Sequence, residues 1–407
     1  MALPAFARLL ATSAALAGLA TAGVWSVRIG WADFLYRQAT VPATEAACSL
    51  LPDNARYLAQ LANLISDDQP RRAQEALRSA IALNPWDSRA WIDLGLRAER
   101  AGDEAAAKSY LLRAAAVDRE YQPRWTLANH CYRHGDEAGF WRWAQEAAAM
   151  ATRDVQPLFR LCGRVREDGQ LIERLSIRNP DVRSDYLAYL LAQNRPELIG
   201  DAVRRLLEEH RQVDAPLLLT ACDRLLEAAH VDQAAELWDQ LAREASVPSR
   251  RAGELLTNAD FEVPPISRGF DWRLPAPGGI TVSREEAGGL EFAFSGNEPE
   301  DGEVLGQFIP VREKSSYWLR FSWDASGDLS GEGLEWRITD AVGTHLRGGS
   351  ALKAADGQLR FDTPAGCRLV RLSLWYHRAL GTTRLKGAVV LRKVSVQAAS
   401  QTPSTKG

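Results

Sequence analysis

Residues 90–115 read AWIDLGLRAERAGDEAAAKSYLLRAA, and this stretch decides the fold of the N-terminal half. Its apolar residues recur at i, i+3 and i+4, the spacing of helices with one buried stripe. Trp91-x-x-Leu94-Gly95 opens a first helix, Gly102 stands near a tight turn, and Ala107-x-x-x-Leu111 with Ala114 follows in a second helix. Small residues at such positions let two helices approach closely, while the large ones fill the groove between them. Working outward, Ala107, Leu111 and Ala114 have counterparts 34 residues earlier in Ala73, Leu77 and Ala80, after which Asn84-Pro85 stops the helix. Tyr57, Trp91 and Trp125 keep the same 34-residue step. A fixed period of this length marks stacked helical hairpins, which share one continuous core. The three aromatics are therefore expected in equivalent places of successive hairpins. The unit from Tyr121 is degenerate, because Phe140, Trp141, Ala144 and Ala147 run one residue out of step.

The period and these side chains resemble the tetratricopeptide repeat family, most clearly over residues 54–148. An all-α solenoid is expected over residues 31–251, with Trp31–Ser49 as its first helix. The resemblance implies an inner face that holds an extended peptide or partner segment. By the family's spacing, Arg89, Ile92, Leu96, Glu99 and Arg100 would face inward from one repeat, and Thr126, His130, Arg133 and His134 from the next. The plainer alternative is that these residues only solvate the inner face or touch the C-terminal domain. His130 and His134 stand at i, i+4 and offer two imidazoles to a metal. No third ligand at suitable spacing is visible, so no metal or cofactor is expected.

Leu9–Val27 reads LLATSAALAGLATAGVWSV, with no charge. At ~1.5 Å per residue such a helix just reaches across a ~30 Å hydrocarbon layer. Residues 1–30 are therefore expected to form a transmembrane helix, with a signal peptide cut near Ala20-Thr21-Ala22 as the alternative. That reading places the chain as a single-pass protein of a bacterial inner membrane, with its folded parts in the periplasm.

Composition shifts near Arg250–Leu256. Gly, Pro, Asp and Ser then punctuate short alternating runs, the pattern of an all-β jelly-roll sandwich over residues 252–397, followed by a disordered tail at 398–407. Expected strands include Ser316–Trp323, Leu334–Asp340, Arg368–His377 and Arg384–Val396. Asn258-Ala259-Asp260-Phe261-Glu262, Gly269-Phe270-Asp271-Trp272 and the last strand to Val396 resemble bacterial carbohydrate-binding modules. In that family acidic residues near the last strand often help to hold a structural calcium; here Arg392-Lys393 stand in their place, which argues against calcium at Asp260 or Glu262. Alternation puts Trp318, Arg320, Glu335, Arg337, Arg371, Trp375 and His377 on the outside. An exposed Trp beside polar side chains can stack on a sugar ring, so these are the glycan-binding candidates. Docking of the sandwich onto the helices is the competing use of the same aromatics.

The net charge of −3 offers no electrostatic footprint for nucleic acid. The five Cys are scattered without a CxxC pair, so neither a zinc site nor a disulfide framework is expected. No nucleophile elbow, HExxH helix or phosphate loop is present, and a non-enzyme is expected. Taken together, the order of parts resembles bacterial envelope proteins that pair an anchor, tetratricopeptide helices and a carbohydrate-module-like sandwich, and the resemblance implies a membrane-tethered adaptor for exopolysaccharide or O-antigen assembly, with a protein partner in the solenoid and a glycan on the sandwich. Two rivals are a purely protein-binding assembly factor and a polysaccharide-modifying hydrolase.

Overall fold

The computed structural model describes residues 5–152, 155–166, 170–209, 211–275, 277–286, 288–326, 333–350, 356–378, 381 and 383–399. The expected tail lies outside the described residues from 400 onward. The chain divides into two compact units, residues 1–166 with 173–182 and residues 167–172 with 183–407.

The first unit is built from helices α1 (Ala5–Arg37), α2 (Val41–Leu50), α3 (Ala55–Leu64), α4 (Pro70–Leu83), α5 (Ser88–Arg100), α6 (Glu104–Val117), α7 (Tyr121–Arg133), α8 (Glu137–Met150) and α9 (Gln156–Val165). Among the described residues, no helix is long and apolar enough to cross a membrane. This overturns the expected transmembrane helix and the single-pass inner-membrane location. The physical reason lies in α1 itself, where Leu and Val are diluted by Ala, Gly, Ser and Thr before Arg28, Asp33 and Arg37 bring in charge. The C-terminal part of α1 is instead the first layer of the helical stack. Ala32 is fully buried against Ala47 and Tyr57, and Arg28 Nε donates to the Leu50 carbonyl at 2.7 Å. The expected first helix Trp31–Ser49 is broken after Arg37, where Ala39 takes a positive φ before α2 begins.

Helices α3 to α8 form three hairpins, and four of the six helices start at a side-chain cap. Asn54, Asp87, Asp103 and Asp136 each accept a backbone N–H of the first turn that no intrahelical carbonyl can reach. Leu61, Leu94 and Leu127 are buried at equivalent places in α3, α5 and α7, each followed by a buried small residue, Ala62, Gly95 or Ala128. These positions step by 33 residues, as do the N-cap positions Asn54, Asp87 and Glu120, the last of which makes no side-chain cap. Ala107, Leu111 and Ala114 on α6 step by 33 to Phe140, Ala144 and Ala147 on α8, all fully buried.

The aromatic triplet is therefore not the structural repeat. Tyr57 turns toward α1 and α2, its hydroxyl 3.1 Å from Asp33 Oδ1. Trp91 packs on Tyr110 and donates to the Pro85 carbonyl, and Trp125 stacks on Tyr121. The true counterparts of Trp91 are Leu58 and Arg124. From N-cap to N-cap the first hairpin (Asn54 to Gln69) is one residue shorter than the next two (Asp87 to Asp103, Glu120 to Asp136), so the step is 34 from α4 to α6 but 33 from α3 to α5 and from α5 to α7.

Helices α10 (Leu171–Arg174) and α11 (Pro180–Ala192) follow, and the second unit carries α12 (Pro196–Leu207), α13 (Ala215–Glu227) and α14 (Val231–Arg243), then two antiparallel sheets. Strands are β1 (Ile280–Arg284), β2 (Leu290–Phe294), β3 (Asp301–Pro310), β4 (Ser316–Ser326), β5 (Leu334–Asp340), β6 (His345–Ser350), β7 (Asp356–Asp362), β8 (Leu369–His377) and β9 (Gly387–Ala398). Their orders are β1-β2-β9-β4-β7 and β3-β8-β5-β6. Inner faces interleave as alternation dictates: Tyr317, Leu319, Phe321 and Trp323 from β4 are buried with Val370, Leu372, Leu374 and Tyr376 from β8. Phe321 meets Trp336 and Phe294 meets Tyr376 across the two layers.

The segment that resembled the opening of a carbohydrate module has a structural task within this unit. Phe261 and Trp272 are fully buried against each other in the core between the sheets. Phe270 meets the edge of Trp238 on α14, and Asp223 on α13 accepts from the Gly269 N–H at 2.8 Å and from Arg273 Nη2 at 2.7 Å. The helical pair is thus seated on the sandwich by Gly269–Arg273.

Candidate functional site

Helices α5 and α7 carry the residues expected to grip a partner. Arg89 and Arg100 are exposed, and Leu96 and Glu99 are half-buried. Ile92 is buried against Leu111 and Leu127, so it belongs to the core and not to a binding face. On α7 the expected set sits one residue off. Thr126 is buried with its hydroxyl donating to the Gln122 carbonyl, and His130 is only 2% exposed. Stepping by 33 from α5 gives Gln122, Trp125, Asn129, Tyr132 and Arg133 instead. Of these Gln122, Tyr132 and Arg133 are exposed, and Trp125 and Asn129 are half-buried. Only Arg133 was anticipated. The spacing of the caps Asn54 and Asp87 is the sequence signal that would have found the others. On α3 the same step places Arg56, exposed, opposite Arg89. The resulting face is rich in guanidinium groups, with Leu96, Trp125 and Tyr132 among them.

The end of this face is tied by one carboxylate. Glu99 receives the Arg133 guanidinium as a fork, Nε at 3.0 Å from Oε1 and Nη2 at 2.6 Å from Oε2. Its Oε1 also lies 3.1 Å from His130 Nδ1 and 3.2 Å from His134 Nε2. Burial opposes ionisation of Glu99, but the bonds from Arg133 and His130 outweigh it and pull its pKa down to about 2. Glu99 therefore stays charged across the physiological range and links α5 to α7.

No family model matches the chain, and no curated protein matches it. Solved structures do match. YrrB, described as a TPR protein with an unusual peptide-binding site, is 13% identical at a TM-score of 0.26, covering 50% of this chain and 93% of its own. PilW, a type IV pilus biogenesis factor, is 16% identical at 0.28, covering 54% and 93%. TmCBM61, solved with β-1,4-galactotriose, is 12% identical at 0.27, covering 36% and 99%. Likenesses at these TM-scores fix neither the fold nor the function of the chain.

The sugar-binding candidates do not form one site. Trp318 and Arg320 lie on the outer face of the five-stranded sheet; Glu335, Arg337, Arg371, Trp375 and His377 lie on the outer face of the other. There Arg337 covers the Trp375 ring at 4.5 Å and pairs with Asp301 and Glu335, while Asp301 also meets His377 at 3.2 Å. Arg371 pairs with Glu303 and rests on Phe308. This face is already occupied by its own side chains. The opposite face holds an open groove of about 640 Å³ lined by Arg320, Ser322, Gln358, Lys393, Ser395 and Gln397 among others. Trp318 pairs with Gln397 at its edge. At Asp260 and Glu262, where the sequence argues against calcium, Arg251 bonds both carboxylates and supplies the positive charge itself.

Proposed function

We propose that the chain is a non-catalytic protein-interaction scaffold that holds an extended, acidic segment of a partner on the exposed face of α3, α5 and α7. The observation that carries this reading is the register of the three hairpins, which lines up exposed Arg56, Arg89, Arg100 and Tyr132 on one side with half-buried Leu96 and Trp125 among them. Guanidinium groups on adjacent helices suit carboxylates spaced along an extended peptide, and the aromatic and apolar groups between them suit its side chains. A photo-crosslinking residue at Gln122 or Tyr132 should capture one defined partner, and Arg89→Glu should abolish the capture. The same residue at Leu112, exposed on α6, should capture nothing. Equal capture from both positions would overturn the scaffold reading.

A second reading gives the sandwich a glycan at the polar groove lined by Arg320, Gln358, Lys393 and Gln397, with Trp318, the register partner of Gln397, offering a ring to stack on. A role in cell-envelope polysaccharide assembly goes with this reading and stands or falls with it. Binding of a bacterial polysaccharide that Trp318→Ala removes and Trp375→Ala leaves intact supports it; binding unaffected by Trp318→Ala ends it.

A further inference from the structure

We propose that Glu99, His130 and His134 form a binding site for a late first-row divalent cation, joining α5 to α7. The sequence offered the two imidazoles at i, i+4; folding brings Glu99 to them from the preceding hairpin. The three potential ligand atoms lie within 4.8 Å of one another. Ligands around a tetrahedral zinc stand about 3.4 Å apart, close to the 3.1 Å and 3.2 Å that separate Glu99 Oε1 from His130 Nδ1 and His134 Nε2, and three protein ligands leave the fourth position to water. Two imidazole nitrogens and one carboxylate oxygen suit zinc, cobalt or nickel better than calcium or magnesium.

The hydrogen-bonding arithmetic also calls for a cation. Glu99 Oε1 has two lone pairs, yet His130 Nδ1, His134 Nε2 and Arg133 Nε all point at it. His134 Nδ1 faces Glu104 Oε2 at 3.5 Å, a contact that only an N–H can make favourable. A metal ion held by His130 Nδ1, His134 Nε2 and Glu99 Oε1 would replace these crowded contacts, with Glu104 orienting His134 through Nδ1 and Arg133 keeping Glu99 Oε2. His130 is almost fully buried and fixed, whereas the His134 side chain is 29% exposed and gives the ion its entry.

The test is calorimetric titration of the chelator-treated full chain with Zn2+, with Co2+ absorption as the report on ligand type. One equivalent should bind at micromolar concentration, and His134→Gln and Glu99→Gln should each weaken binding roughly tenfold or more. Arg133→Gln removes a competing positive charge and should tighten binding, a gain that misfolding cannot imitate. Metal-free melting curves of His134→Gln should match the parent. The proposal is overturned by absence of saturable binding up to about 1 mM, or by affinities that both ligand variants leave unchanged, which would place the ion elsewhere, on thiols for instance.

Discussion

A β-carbon placed on Gly95 would lie 2.6 Å from Cδ2 and 2.7 Å from Cγ of Leu111, the residue that closes the second hairpin from α6. Leu111 is fully buried, and the clash involves its branch carbon, so rotating the tip cannot relieve it. Alanine gains about 1 kcal/mol over glycine within a helix, while overpacking costs about 1–3 kcal/mol. Gly95→Ala is expected to destabilise the first unit by up to roughly 2 kcal/mol net. In a Leu111→Ala background the clash is gone and the same substitution should become neutral or stabilising. Denaturant melts of the four proteins in this cycle decide it; additive effects would mean that the two residues are not in contact.

That close approach was legible from the small residue after Leu94, and so was the alternation of β4 and β8, because both follow from local periodicity. The register between hairpins was not. Tyr57, Trp91 and Trp125 drew attention by size, yet the first helices of the hairpins step by 33 residues and not 34, and the caps Asn54 and Asp87 carry that step. Strands β1 and β6 were missed because Ile280–Arg284 and His345–Ser350 bury little and read as polar loop. The meeting of Glu99 with His130 and His134 depends on packing between repeats, which no spacing within one helix announces.

Gly269 packs under Trp238 so tightly that a β-carbon there would sit 2.4 Å from Cζ3, at a φ of +52° that already favours glycine. Gly269→Ala is expected to cost about 2–4 kcal/mol through strain and overpacking together. The loss should appear as early melting of α13 and α14, read by hydrogen exchange at Leu225 and Leu237. Exchange unchanged there would show that the helical pair does not depend on this seat.

Burial pushes the Cys162 and Cys222 thiols up to about 12, and Cys131 and Cys367 are also buried; only Cys48 is partly accessible. A thiol held protonated and out of solvent does not react as a nucleophile. Native protein at pH 8 should release at most one equivalent of thionitrobenzoate quickly with Ellman's reagent, and Cys48→Ser should remove it. All five thiols should react in denaturant. Rapid reaction of several thiols in the native state would contradict the packing around α9 and α13.

Asp271 is fully buried, and burial pushes its pKa up to about 6 despite backbone N–H groups from Ile266 and Trp272 that favour the charged form. In the unfolded chain the same carboxyl ionises near 3.8. Between these values the unfolded state sheds the proton first, so unfolding becomes easier as pH rises. The penalty is absent below about pH 4 and complete above about pH 7, where it reaches up to about 3 kcal/mol. Asp271→Asn keeps an oxygen for the Ile266 N–H and carries no charge. Relative to the parent it should therefore gain stability steadily from pH 4 to pH 7. Urea melts at both ends measure this; parallel curves for the two proteins would mean that Asp271 is ionised in the fold at acid pH, held by donors stronger than its burial.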